Sequence, residues 1–190
     1  MPARPLLRLT LVRHAKTEPG RPGQEDWDRV LEPRGQRDAP EMARRVKQLS
    51  PKIDRILSSP AVRAITTATI MTRELGVSAQ KVQQDERLYL ASPKDMLAVI
   101  RELGEKARHL MVVGHNPGIT EFADRISRER GIDNMPTCAI YTLQFEIAAW
   151  SELHVDPTSR ASWSRVWRSR AMIAWSSSPI RGVNRRASSG

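Results

Sequence analysis

Two arginines and two histidines stand where strand-like segments of this chain give way to loops or helices. In "LTLVRHAKTE", residues 9–18, an apolar strand runs straight into Arg13, His14 and Lys16. A cation beside an imidazole disfavours a second positive charge there, so the pair needs a structural or chemical reason. Arg63 lies four residues after Ser59 in "SSPAVRA", and His115 ends "HLMVVGH". Guanidinium groups bind phosphoryl oxygens through paired, charge-assisted hydrogen bonds. A neutral imidazole, with a pKa of about 6.5, is a nucleophile at neutral pH. Attack on phosphorus would give a phosphohistidine that water then hydrolyses, while a second histidine donates to the transferring oxygens. That chemistry requires no metal, and no cofactor is expected. A metal reading would use His14, His109 and His115, but His109 starts a strand six residues before His115. Strand rise would separate those two by roughly 20 Å.

The elements that must position these residues alternate. A strand fits 7–13, followed by an open loop carrying "EPGRPG". "GQRDAPEMARRVKQL", residues 35–49, places Met42, Val46 and Leu49 on one helical face, with Pro40 marking its true first turn. "IDRILSS" is a short buried strand. A helix opens after it, with Ser59 as cap and Pro60 at its first position. "VQQDERL" is a weak third strand. "SPKDMLAVIREL" gives a second clear helix N-terminus, capped by Ser92 with Asp95 in the capping-box position. "HLMVVGHNPG" is a strand entering a turn, "ITEFADRISRER" a helix, and "TCAIYTLQFEI" a late strand holding the core residue Cys138. Strands alternating with helices imply an α/β fold with a mostly parallel sheet. Ligands of such sheets bind at the carboxyl ends of the strands, where Arg13, His14, Arg63 and His115 would converge.

Composition narrows the class. The chain of 190 residues suits one domain with a real core. It has no run of 18 apolar residues and no secretory h-region, so a cytoplasmic protein is expected. A single cysteine excludes an internal disulfide and a thiolate metal cluster. Neither a P-loop nor a dinucleotide glycine fingerprint is present, and "GHNPG" lacks the lysine a P-loop needs. The net charge is +10, and half of that excess lies in the last 40 residues. The remainder is mildly basic, which suits an anionic substrate.

Three segments, "LVRHAKT", "LSSPAVRAITTA" and "VVGHNPG", resemble the signatures of the histidine phosphatase superfamily, in its phosphoglycerate-mutase-like branch. "DRVLEPRGQRDAP", "LYLASPKDMLAVI" and "GHNPGITEFA" followed by "NMPTCAIYTLQF" are more narrowly similar to SixA-type phosphohistidine phosphatases. The resemblance spans residue 7 to about 150, in the right order and spacing. It implies a three-layer α/β sandwich with a central, mostly parallel sheet. It also implies His14 as nucleophile, Arg13 and Arg63 as phosphate ligands, and His115 as the second histidine. Many ester-cleaving relatives place a glutamate acid shortly after the third strand. Here the matching position is Leu90, and Glu86 precedes it. An alkoxide leaving group needs a proton donor, whereas the imidazole of a phosphohistidine leaves as a neutral ring. The missing acid therefore favours an N–P bond. The expected partner is a phosphohistidine-bearing protein, such as a histidine phosphotransfer domain, or a small phosphorylated substrate, with inorganic phosphate as product.

Each residue also has a plainer reading. Alone, His14 would be a core histidine and Arg63 a solvated helix charge; in register with Arg13 and His115 they read as catalytic. His109 and His154 read as structural or surface residues. Asp26 and Asp28 read as structural rather than acid/base groups. Lys16 either adds positive potential at the pocket mouth or is merely solvated. Residues 1–156 form the phosphatase domain, and 157–190 a basic extension, helical and then disordered. Trp163, Val166, Trp167, Ala171 and Ala174 fall at helical spacing, flanked by Arg160, Arg165 and Arg168. Packing on the domain is favoured over binding a membrane surface or an acidic partner; departure of the tail from the family reading frame is a third alternative. Nucleic acid is not expected, since the core has no basic platform interleaved with aromatics. The alternatives in function are a broad small-molecule phosphomonoesterase and a non-catalytic basic binding module acting through the tail.

Overall fold

Strand β1 (Leu7–Arg13) sends alternate side chains to opposite faces of a sheet that is covered on both sides. The structure is a computed structural model describing residues 6–49, 52–127, 131–155, 172–174 and 181–182. Leu7, Leu9 and Leu11 enter one core and Val12 the other. Strand β2 (Arg55–Ser58) divides in the same way, Leu57 to the first core and Ile56 to the second. In β4 (His109–Gly114), Leu110 and Val112 face the first, Met111 and Val113 the second. Helices α1 (Pro33–Leu49) and α2 (Val62–Leu75) close one face through Met42, Val46, Ala64, Ala68 and Met71. Helices α3 (Pro93–Leu103) and α4 (Gly118–Ile126) close the other through Val99, Ile100, Ile119 and Phe122. Fully buried central strands read as near-continuous apolar runs for this reason.

The sheet also contains β3 (Val82–Gln84), β5 (Ile140–Phe145), β6 (Met172–Ala174) and β7 (Arg181–Gly182), in the order β3-β2-β4-β1-β5-β6-β7. The first four strands of that order are mutually parallel, and β5 turns antiparallel against β1. The fold is therefore the expected α/β sandwich. Its register sets the site: Arg13 pairs with Gly114 and Ser58 with Val113, so β1, β2 and β4 end level. One further rung continues on each side, from the His14 amide to the Gly114 carbonyl at 3.1 Å and from the Ser59 amide to the Val113 carbonyl at 3.1 Å.

Several local expectations change. Helix α1 starts at Pro33, where a missing N–H costs nothing, and Pro40 lies inside it rather than opening it. Burial of Met42, Ala43 and Val46 holds the helix together across that break. Helix α2 is capped by Ala61, two residues later than expected, because Ser59 still extends the strand ladder. The capping box of α3 is present: the Ser92 hydroxyl accepts from the Asp95 amide, and the Asp95 carboxylate from the Ser92 amide. The third strand is only Val82–Gln84, and a tight turn, Glu86–Leu88, replaces its second half. Cys138 is buried as expected, but on a turn before β5 with φ 63°. Its amide bonds the carbonyls of both Arg13 and His14, which requires that turn. The tail helix expected through Ala174 fails at its end. Met172–Ala174 is a strand paired with Thr142–Ile140, supplying partners to a β5 edge that would otherwise lack them. Arg181–Gly182, expected disordered, pairs in turn with Ile173–Met172. Trp163, Val166, Trp167 and Ala171 lie outside the described residues. Among the described residues, no helix is long and apolar enough to cross a membrane.

Candidate active site

The level ends of β1, β2 and β4 bring His14, Arg63 and His115 together, with Arg13 on the last residue of β1. His14 is 8% exposed, His115 1% and Arg63 3%. The two imidazole rings are 5.2 Å apart between centroids. His14 Nδ1 lies 2.8 Å from the Ala15 carbonyl oxygen. A carbonyl only accepts, so the ring proton sits on Nδ1 and the lone pair on Nε2. Burial lowers the His14 pKa to about 4, against the pull of the Ala15 carbonyl and with help from Arg63, Arg13 and Arg29. Burial, and then the charge of Arg63, lowers His115 to about 3. Both rings are neutral at physiological pH.

The two arginines are anchored from different sides. Arg13 Nη1 donates to the Met135 carbonyl at 2.7 Å. That carbonyl also accepts from Asn116 Nδ2 at 3.2 Å, and Thr120 Oγ1 accepts from the Met135 amide at 3.0 Å. Arg63 sits in the first turn of α2. Its Nη2 donates to Asp26 Oδ2 at 2.7 Å, and its Nη1 to the Asp26 carbonyl. Thr67, one turn on, donates to the Arg63 carbonyl at 2.7 Å and accepts from the Ala15 amide at 3.0 Å. One hydroxyl thus ties the helix carrying Arg63 to the turn carrying His14. Among the described residues, two buried side-chain atoms lack any hydrogen-bond partner: Arg13 Nε and His115 Nδ1. Both belong to this cluster. A buried unpaired donor costs about 1–3 kcal/mol, and an anion's oxygens would relieve such a cost.

Sequence reasoning missed the ring of residues around this set. Asp26, expected to be structural, reaches the site as the counter-charge of Arg63. Burial pushes its carboxyl up, but hydrogen bonds from Tyr89, Arg29 and Arg63 outweigh that and hold it at about 2. It is ionised, which agrees with excluding it as an acid. Tyr89 donates to Asp26 Oδ2 at 2.8 Å and meets the His115 ring edge-on, centroids 5.5 Å apart. Trp27 packs on Tyr89 at 4.7 Å. The Ser59 hydroxyl lies 2.8 Å from His115 Nε2. The readable signal was adjacency alone: Ser59 follows a strand end, and Tyr89 precedes the vacant acid position at Leu90. Leu90 is 53% exposed, with φ 47°. The Lys16 side chain is exposed. His109 is at the other end of β4, bonded to Thr10 Oγ1 at 2.8 Å, so His14, His109 and His115 do not converge. His154 is bonded to Arg101.

An unprotonated imidazole nitrogen, a second imidazole and two guanidiniums at the ends of parallel strands can bind a phosphoryl group and attack it. Such a set would make a phosphatase-type site. The sequence profile of the histidine phosphatase superfamily (branch 1) matches residues 9–89. Uncharacterized protein Rv1276c of Mycobacterium tuberculosis is 33% identical over 143 residues, covering 70% of this chain and 86% of that one. A solved structure from Agrobacterium tumefaciens, named as a candidate phosphohistidine phosphatase SixA, is 27% identical with a TM-score of 0.65. That match covers 72% of this chain and 91% of the other. A counterpart from Nakamurella, likewise named as a candidate SixA, has a TM-score of 0.67 at 24% identity, covering 77% of this chain and 88% of its own. The chain belongs to the histidine phosphatase superfamily, and its fold is similar to those of the structures named SixA.

Proposed function

We propose that this protein is a phosphohistidine phosphatase working through a covalent intermediate on His14, with Arg13, Arg63 and His115 holding the phosphoryl group. The observation that carries the substrate choice is the state of Asp26. It is the carboxylate bonded to the cluster, and it is held ionised by three donors. It has no proton to give, and Leu90 occupies the position where ester-cleaving relatives place an acid. A leaving alkoxide would go unassisted, whereas a phosphorylated imidazole protonated on its other nitrogen departs as a neutral ring.

In the first step His14 Nε2 forms a bond to phosphorus as the substrate's P–N bond breaks. The proton stays on His14 Nδ1, hydrogen-bonded to the Ala15 carbonyl, which stabilises the charge developing on the ring. Arg13 and Arg63 take the equatorial oxygens with the unpaired donors of the pocket. Water then attacks phosphorus, the P–Nε2 bond breaks, inorganic phosphate leaves and His14 is restored. The test is release of phosphate from a phosphohistidine protein and from phosphoserine peptides. Faster turnover of the histidine substrate is expected; faster turnover of the serine ester, or of small phosphomonoesters, would overturn the substrate assignment. His14→Ala should abolish turnover, and the trapped phosphoenzyme should map to His14; retained activity would overturn the mechanism.

A further inference from the structure

We propose that Ser59 is a positioning residue: its hydroxyl donates to Nε2 of His115 and so places the single proton of that ring on Nδ1. The inference rests on the phosphoryl-transfer reading for its purpose, but its geometry stands apart from it. Every polar group of Ser59 has a partner. The amide donates to the Val113 carbonyl at 3.1 Å, and the carbonyl accepts from Ser58 Oγ at 2.9 Å. The Ser59 oxygen accepts from the Ala61 amide at 3.3 Å and meets His115 Nε2 at 2.8 Å. A serine hydroxyl has one hydrogen and two lone pairs. Its oxygen already takes the Ala61 N–H, and among the described residues no acceptor other than Nε2 is bonded to it. With the hydrogen directed at Nε2, that nitrogen is the acceptor, and a neutral imidazole then carries its proton on Nδ1.

The opposite arrangement is worse on both sides of the ring. If Nε2 carried the proton, the buried Ser59 hydrogen would have no acceptor. The bare lone pair of Nδ1 would also be left in a cluster of two guanidiniums, where an incoming anion would meet it as a repulsion. The unpaired state of His115 Nδ1 and of Arg13 Nε makes sense together when both are donors. Ser59 occupies the helix-cap position of the sequence without being the cap, since Ala61 fills that place. Its hydroxyl is committed to the histidine, much as outer partners fix the tautomer of a metal-bound imidazole.

The test is a 15N-resolved NMR measurement of the His115 ring at pH 7 in the unliganded protein, assigned by difference with His115→Asn. The expected pattern is Nδ1–H with an unprotonated Nε2; the reverse pattern overturns the proposal whatever the substrate proves to be. Ser59→Ala should shift the ring toward Nε2–H and lower kcat about ten- to a hundred-fold. Ser58→Ala removes the neighbouring buried hydroxyl, which bonds the Ser59 carbonyl and not the ring. It should leave the tautomer and the rate unchanged, and equal losses in both variants would mean that Ser59 acts only in packing. The expected tautomer in a protein that releases no phosphate from any phosphorylated substrate would leave Ser59 in place and defeat the functional reading instead.

Discussion

Acid should destabilise this protein well above the pH at which its carboxylates titrate, because the two site histidines are buried neutral. An unfolded histidine has a pKa of about 6.5. In the folded chain His14 is lowered to about 4 and His115 to about 3. Lowered folded values mean that the unfolded chain binds protons first. The histidines therefore cost nothing above about pH 6.5, and stability is lost as pH falls below it, until the folded values are reached. At pH 5 the linkage gives a loss of about 2 kcal/mol for each ring, about 4 kcal/mol for the pair. That is a large share of the 5–15 kcal/mol typical of a domain. Carboxylates contribute little between pH 7 and 5, and Asp26 is held lower still, at about 2. Urea denaturation at pH 7 and pH 5 reads the difference directly, with His14→Asn/His115→Asn as the control that should flatten it. Inorganic phosphate should restore part of the loss by mass action if it binds the folded site. Equal stability at the two pH values, within 1 kcal/mol, would refute the reasoning that both rings are held neutral by burial beside the arginines.

Three further substitutions probe the supports. Asp26→Asn removes the counter-charge of Arg63; after discounting for a carboxylate side chain 45% exposed, the expected loss is about 1 kcal/mol in a urea melt. The same variant should bind inorganic phosphate more tightly, since one competing anion is gone, and weaker binding would show that the carboxylate orients the guanidinium instead. Thr67→Val leaves the Ala15 amide unpaired beneath the His14 turn and should cost about 1–3 kcal/mol; a melt unchanged within error would mean the Thr67 link is dispensable. Gly118→Ala would place its Cβ 1.8 Å from the Ala91 carbonyl oxygen. Differential scanning calorimetry should show a loss of about 1–3 kcal/mol, and an unchanged transition would mean that α4 and the Ala91 loop can part without cost.

The four chemistry-bearing residues were legible because parallel strands that end level bring whatever follows them to one edge. Apolar runs followed by Arg13-His14, Ser58-Ser59 and Gly114-His115 are enough to place that edge. Asp26 was not legible, because it sits in a short turn of the long β1–α1 connection, with no periodicity to fix where its side chain goes. Ser59 looked like a cap because serine before proline commonly is one, and a one-dimensional pattern does not show a histidine beside it from 56 positions away. Cys138 adopts positive φ because its amide bonds the Arg13 and His14 carbonyls, not because of its own side chain. The stretch at Met172–Ala174 is too short and apolar for its period to separate helix from strand; the free edge of β5 decided it.

The charge of the site ties these observations together. Arg13 and Arg63 lie beside two imidazoles whose protonation would put four cations in one buried cluster. Asp26 offsets one of them, and it does so at the price of an acid: the same three donors that make it a good counter-ion remove its proton. A carboxylate free to donate would leave Arg63 without its counter-charge. Among the described residues, the lack of a proton-bearing carboxyl on the cluster and the presence of a locked counter-ion are therefore two sides of one arrangement. It suits a substrate that brings negative charge and a leaving group able to depart without a proton from the protein.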